Sequence, residues 1–167
     1  VATMYQGSIR LTTPMLYAMA FIFVFLVGGL TGVFLATVSI NVHLTDTYFV
    51  VAHFHYTMVG GAIMGFMAGL HYWFPKFVGR MYTEFPAKIS CFLIFIGFNV
   101  TFFPQFVLGM QGMPRRYYSY PERFTKLNQI STVGSYLIAL GFVLALFYLV
   151  YSLFRGKKAS DNPWGAE

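Results

Sequence analysis

Residues 47–75 read Thr47-Tyr48-Phe49-Val50-Val51-Ala52-His53-Phe54-His55-Tyr56-Thr57-Met58-Val59-Gly60-Gly61-Ala62-Ile63-Met64-Gly65-Phe66-Met67-Ala68-Gly69-Leu70-His71-Tyr72-Trp73-Phe74-Pro75, with no formal charge. A bilayer core of about 30 Å is crossed by roughly 20 apolar residues in a helix. The stretch Tyr48–Phe74 is longer than that, at about 40 Å as an α-helix. It should tilt or extend past the hydrocarbon. Backbone groups in lipid must be satisfied within the segment, which selects helix over strand. Pro75 is expected to close it.

Three further charge-free runs flank this one: residues 11–45, 89–114 and 127–154. Their apolar cores are Met15–Ala36, Ile89–Leu108 and Ile130–Phe154. The expected spans are therefore about 14–37, 47–75, 88–109 and 128–154, followed by a basic tail over 155–167. Thr13-Pro14 reads as a cap and a first-turn proline. Pro104 should break the third span, and Gly109 and Gly112 follow it. Residues 41–47 read as a loop whose Asp46 and Thr47 cap the second span.

Composition agrees. Of 167 residues, 57% are hydrophobic and 10% charged, against about 25% charged in soluble domains. Mean hydropathy is +0.64. A small domain cannot hide that much apolar surface in one core, which excludes a soluble globular protein and a disordered chain. The single cysteine, Cys91, excludes a disulfide scaffold. No phosphate loop, nucleic-acid signature or nucleophile-plus-base pairing is present, and no nucleic-acid partner is expected. The chain opens on Val1-Ala2-Thr3 with no signal-peptide pattern, which reads as a processed form or a piece of a longer polypeptide. The fold class expected is an all-α, polytopic transmembrane helix bundle.

Lys/Arg placement sets orientation. Arg10, Lys76, Arg80, Lys88, Arg155, Lys157 and Lys158 fall on one face; Arg115, Arg116, Arg123 and Lys126 fall on the other. Seven against four puts both termini inside. The outer basic cluster opposes the usual bias, so an anion is expected there.

His53 and His55 lie inside the second span, where polar residues are costly and tend to be functional. Two positions apart on a helix, they point about 200° apart, so they cannot converge on one metal ion. Each can serve its own site, and a haem on either side fits that geometry. The irons would then sit on the order of 10–15 Å apart, given a helix about 10–12 Å wide. The alternative is two histidines hydrogen-bonded across helix interfaces. Arg115 and Arg116 can hold carboxylates, such as haem propionates, in fork geometry; the alternative is a pair of lipid-headgroup anchors. Asp46 and His43 are candidate metal ligands, with capping the better reading of Asp46. His71, beside Tyr72 and Trp73, reads as an interfacial residue of an aromatic belt.

The block Asp46–Tyr56 resembles subunit I of the haem-copper oxidases, of the cytochrome c oxidase type. Further matching blocks follow the same order: Ser8-Ile9-Arg10, Thr13-Pro14-Met15, Phe21-Ile22-Phe23, Gly28-Gly29-Leu30-Thr31-Gly32, Asn99–Gln105, Leu108-Gly109, Gly112–Arg116, Gly134-Ser135-Tyr136 and Asn162–Ala166. The resemblance implies that residues 1–167 are the C-terminal third of a twelve-helix subunit, helices nine to twelve. It implies two haems of A-type. His53 would be the proximal ligand of the high-spin haem and the catalytic residue, and His55 an axial ligand of the low-spin haem. Arg115 and Arg116 would bind propionates, with Tyr48 near the low-spin haem. The family reduces dioxygen to water with electrons from cytochrome c and moves protons. Its copper is held by residues outside this chain, as are the second low-spin ligand and the proton-channel groups. The implied partners are the N-terminal part of subunit I, oxidase subunits II and III, cytochrome c and the lipid of a bacterial plasma membrane or mitochondrial inner membrane.

One departure concerns a magnesium or manganese site. The family has His-Asp just before helix ten, whereas Thr45-Asp46 stands here, leaving Asp46 as the candidate ligand. The rival readings are a nitric-oxide-reducing relative and a non-catalytic membrane subunit serving in assembly. A strip containing Gly28, Gly29, Gly32, Gly60, Gly61 and Gly65 is expected on the outward faces, where the rest of the subunit packs.

Overall fold

In a computed structural model, described over residues 1–165, four helices are long and apolar enough to cross a membrane. Ala166 and Glu167, the end of the expected tail and of the Asn162–Ala166 block, lie outside the described residues. Helix α1 spans Thr13–Ala36 and is followed by a short α2, Val38–Leu44. The second crossing is composite: α3 (Tyr48–Phe54), a π-helical stretch (His55–Ile63) and α4 (Met64–Val78). Strand β1 (Arg80–Met81) leads to α5 (Glu84–Met110). A 3₁₀ turn (Glu122–Phe124) opens α6 (Thr125–Arg155), and β2 (Lys157–Lys158) returns to pair antiparallel with β1. The all-α, polytopic membrane architecture expected from the sequence is what the chain adopts.

Several local expectations are corrected. Thr13 is not a side-chain cap; its N–H and hydroxyl both donate to Glu84 Oε2, at 3.2 and 2.8 Å. An acidic side chain from the start of α5 thus serves the first N–H group of α1, which has no partner within its own helix. Pro75 does not close the second span. The helix runs on to Val78 and stops at Gly79, whose φ of +70° a residue without Cβ adopts freely. Pro104 does not break α5. Proline withdraws one N–H from the ladder, and the Ser131 hydroxyl of α6 donates to the nearby Thr101 carbonyl at 2.5 Å. The loop before the second span contains α2, so His43 is helical and exposed. Thr47 does cap α3, accepting from the Phe49 N–H at 3.2 Å.

The glycine strip is mostly spent inside the bundle. A Cβ on Gly28 would lie 2.8 Å from Thr57 Cγ2, one on Gly60 2.1 Å from Val24, one on Gly32 3.0 Å from His53, and one on Gly61 3.2 Å from Phe25. Only Gly29 and Gly65 of the six face open space.

Helices α5 and α6 form the tightest antiparallel pair. A Cβ on Gly97 would meet the Gly134 carbonyl at 2.9 Å, and one on Gly134 would meet the Thr101 nitrogen at 2.5 Å. Small residues let backbones approach, and hydroxyls supply interhelical bonds: Gln105 Nε2 donates to Ser131 Oγ at 3.1 Å and Ser90 Oγ to the Gly141 carbonyl at 2.9 Å. Gly134→Ala is therefore expected to overpack this seam at a cost of about 1–3 kcal/mol, read as a lowered midpoint for thermal unfolding of the detergent-solubilised complex. An unchanged midpoint would show the seam has slack.

The two ends differ as the charge count requires. At one end the tail is strapped to the loop after α4: Arg80 pairs with Lys158, Arg80 Nη1 donates to the Gly156 carbonyl at 2.9 Å, and Trp164 Nε1 donates to the Tyr72 carbonyl at 3.0 Å. The other end carries the 46–48 and 109–116 segments.

Candidate haem-ligand site

His53 and His55 sit on one helix and face different neighbours. His53 Nδ1 lies 3.0 Å from the Gly28 carbonyl and 3.1 Å from Thr31 Oγ1, both on α1. His55 Nδ1 lies 2.7 Å from the Val51 carbonyl, and its ring stacks on Phe54 and on Phe102 of α5 at 4.4 and 4.1 Å between centroids. The expectation of two separate faces thus has a structural counterpart.

A carbonyl oxygen only accepts, so each Nδ1 donates, and in the neutral ring Nε2 then carries the lone pair. That tautomer, with the second nitrogen anchored to a carbonyl, is what metal-bound histidines use. Stacking covers the His55 ring faces and leaves Nε2, which lies in the ring plane. The side chains present therefore fit axial ligation of an iron on either side of the helix.

His71 provides the contrast and a correction. It is fully buried, not interfacial. Its Nδ1 donates to the Met67 carbonyl at 2.7 Å, and its Nε2 accepts from the Tyr148 hydroxyl. The ring stacks on Tyr17, which shares a 3.3 Å hydrogen bond with Ser90. Both nitrogens are committed to protein, so His71 is a satisfied core histidine. The local sequence concealed this, because the partner Tyr148 lies 77 positions away.

The π-helical stretch begins at His55. Thr57 Oγ1 lies 3.3 Å from the His53 carbonyl and 3.2 Å from that of Phe54. A π turn loosens the α ladder, and this hydroxyl, with its single proton, lies within donating reach of either carbonyl. No composition or spacing signal marked the stretch beforehand.

At the far end, two blocks separated by more than sixty residues run side by side. The Tyr48 N–H donates to the Met113 carbonyl at 3.0 Å and the Arg115 N–H to the Asp46 carbonyl at 2.9 Å. Gly109 lets α5 pass the start of α3, since a Cβ there would fall 2.1 Å from the Phe49 nitrogen. Tyr48 packs against the Leu108–Met113–Phe124 cluster. Arg115 Nε reaches Asp46 Oδ1 at 3.2 Å, with Arg115 mostly covered and Asp46 mostly exposed. Arg116 has a φ of +66° and its side chain is exposed. Asp46, Tyr48 and Arg115 are thus gathered, while Arg116 points outward. Asp46 is an ion-pair partner with a φ of +56°, not a helix cap. Among the described residues no three His, Cys, Asp or Glu converge as a metal site.

Comparison with known proteins decides the family: cytochrome C and quinol oxidase polypeptide I matches residues 1–137. The chain belongs to this family. It is 47% identical over 167 residues to cytochrome c oxidase subunit 1 of Cereibacter sphaeroides, covering 100% of this chain and 30% of that one. It is 48% identical over 165 residues to cytochrome c oxidase subunit 1 of Bacillus sp. (strain PS3), covering 98% and 27%. A solved heme-copper terminal oxidase dimer superposes with a TM-score of 0.77 at 26% identity, over 87% of this chain and 27% of that chain. The chain therefore spans about three tenths of the length of the curated oxidase subunits it matches. As a polypeptide I family member with four apolar crossings, it is a multi-pass membrane protein.

Proposed function

We propose that this chain is the haem-ligating part of subunit I of a respiratory terminal oxidase of the cytochrome c oxidase type. The complete complex would reduce dioxygen to water with electrons from cytochrome c, with coupled proton translocation, in a bacterial plasma membrane or mitochondrial inner membrane. The observation that carries this is the matched pair of histidines on one helix. Each has Nδ1 within hydrogen-bond reach of a carbonyl, and the rings meet different neighbours, α1 for His53 and Phe102 of α5 for His55. His53 would hold the high-spin haem and His55 the low-spin haem, both of A-type. Bound haem would supply one-electron and dioxygen chemistry that the side chains of this chain lack.

The chain's own residues then have distinct tasks. Gly28 and Thr31 orient the His53 ring, and Val51, Phe54 and Phe102 orient that of His55. Arg115 and Arg116 would present guanidinium groups to haem propionates, with Tyr48 fixing the loop that carries them. Asp46 holds Arg115 in place. It would contribute to a magnesium or manganese site only together with ligands from a partner chain. Copper, the other low-spin ligand and the contacts to subunits II and III belong to the remainder of the complex. A pyridine haemochrome assay on the complex captured through a tag on this chain tests the reading. Two haems per copy are expected; none would overturn it.

An Arg115→Lys change probes the propionate role. A hydrogen bond to a charged group is worth about 1.5–3 kcal/mol, and lysine cannot reproduce the planar fork. The variant is expected to keep fold and topology, shift haem midpoint potentials and slow turnover. A lipid-anchor role predicts no change, since lysine snorkels to headgroups as arginine does. A redox titration that overlays the parent would remove Arg115 from the site.

A further inference from the structure

We infer that Thr31 is a positioning residue for His53, and that its hydroxyl sets the electron-donating strength of that imidazole. The inference rests on His53 being an iron ligand and goes beyond it by separating the two histidines chemically. His55 Nδ1 has one acceptor, the Val51 carbonyl of its own helix. His53 Nδ1 has two, both from α1: the Gly28 carbonyl at 3.0 Å and Thr31 Oγ1 at 3.1 Å. The Thr31 hydroxyl has a single proton. Its oxygen lies 3.0 Å from the Val27 carbonyl and 2.9 Å from that of Gly28. Donation to Val27 leaves the Gly28 carbonyl and the Thr31 lone pairs free for the forked Nδ1–H of His53, so every group is satisfied.

The cradle is shaped for this ring. A Cβ on Gly32 would come within 3.0 Å of His53 Cε1. Glycine there lets the imidazole lie flat along α1, where Gly28 and Thr31, one turn earlier and one residue earlier, reach the same nitrogen. Acceptors on the second nitrogen of a ligating histidine fix its tautomer and raise its basicity. The Thr31 oxygen, as a second acceptor for Nδ1–H, therefore adds to the electron-donating strength of His53 Nε2, a contribution His55 lacks. It also ties the ring to a neighbouring helix, so that movement of α1 against α3 changes the ligand itself.

The test uses the complete complex carrying Thr31→Val, which keeps the shape and loses the oxygen, beside Thr31→Ala and Thr31→Ser. The reading is the iron–imidazole stretching band of the reduced high-spin haem by resonance Raman. Thr31→Val and Thr31→Ala are expected to move that band to lower frequency, Thr31→Ser to restore it, and the low-spin haem bands to stay in place. A band that overlays the parent in whichever of the Val and Ala variants assembles would overturn the inference, as would equal movement of the low-spin bands. A parent complex showing no iron–imidazole band would instead defeat the assignment of His53 as a ligand, which keeps the two failures apart.

Discussion

A His55→Leu change in the complete complex is expected to remove the low-spin haem signal while leaving a high-spin haem that still binds external ligand. His53→Leu is expected to do the reverse, abolishing ligand binding first. The reason is geometric. The two rings leave the helix toward different partners, Gly28 and Thr31 of α1 on one side and Phe102 of α5 on the other. Leucine is a good helix former and inserts well into lipid, so neither substitution disturbs the crossing itself. Each removes one Nε2 and leaves the other histidine's carbonyl anchor intact. The effect should be all-or-none for the affected haem, because no other histidine stands by to replace the lost ligand. His71 has both nitrogens committed and His43 is exposed on α2. Optical spectra of the two purified variants check this. Loss of both haem signals from either single change, in an assembled complex, would contradict the two-site assignment.

Expressed without the rest of the subunit, the chain is expected to lose nearly all accumulation in the membrane. Its helices bury little against one another: 11% of the most apolar stretch of α1 is covered within the chain, against 50% for α5. Large apolar side chains such as Phe23, Leu30, Phe66 and Phe147 stand exposed. Lipid can cover those, but it drives no helix association, which in membranes depends on close backbone packing. Gly29 and Gly65 offer such close packing and have nothing within 4 Å to use it. On the proposed function, further helices of the subunit would pack where these glycines stand. Co-expression with the N-terminal part should restore accumulation and haem content. A folded, haem-free monomer recovered in detergent would count against the dependence.

Much of the architecture could be read before any coordinates, because charge-free runs of this length admit few structures in lipid. Four helices long and apolar enough to cross a membrane overlie the charge-free runs. What escaped was local and set by distant partners. Pro104 sits inside an unbroken α5, with Ser131 of α6 bonded to the Thr101 carbonyl beside it. Pro75 is followed by another turn because Gly79, not proline, supplies the left-handed stop. His71 looked interfacial beside Tyr72 and Trp73, yet Tyr148 and Tyr17 enclose it.

The site was legible to the same depth. Two histidines at a spacing of two announce opposite faces, and in the structure their rings meet different neighbours. That each ring would surrender Nδ1 to a carbonyl could not be foreseen, nor that Thr31 would be the second acceptor for only one of them. The Gly28–Gly32 block is legible in the sequence as a pattern, but its chemistry depends on how α1 docks against α3. Arg115 and Arg116 were read as a pair. The backbone at Arg116 is left-handed and its side chain is exposed, while Arg115 pairs with Asp46.

The most direct test of the central claim, that this one helix ligates two different haems, is a pair of difference spectra. They are taken on the complex captured through a tag on this chain, reduced minus oxidised and then reduced with carbon monoxide minus reduced. Two haem components are expected, one shifted by carbon monoxide and one indifferent to it. A complex with a single haem component, or with no haem absorbance, would contradict the account.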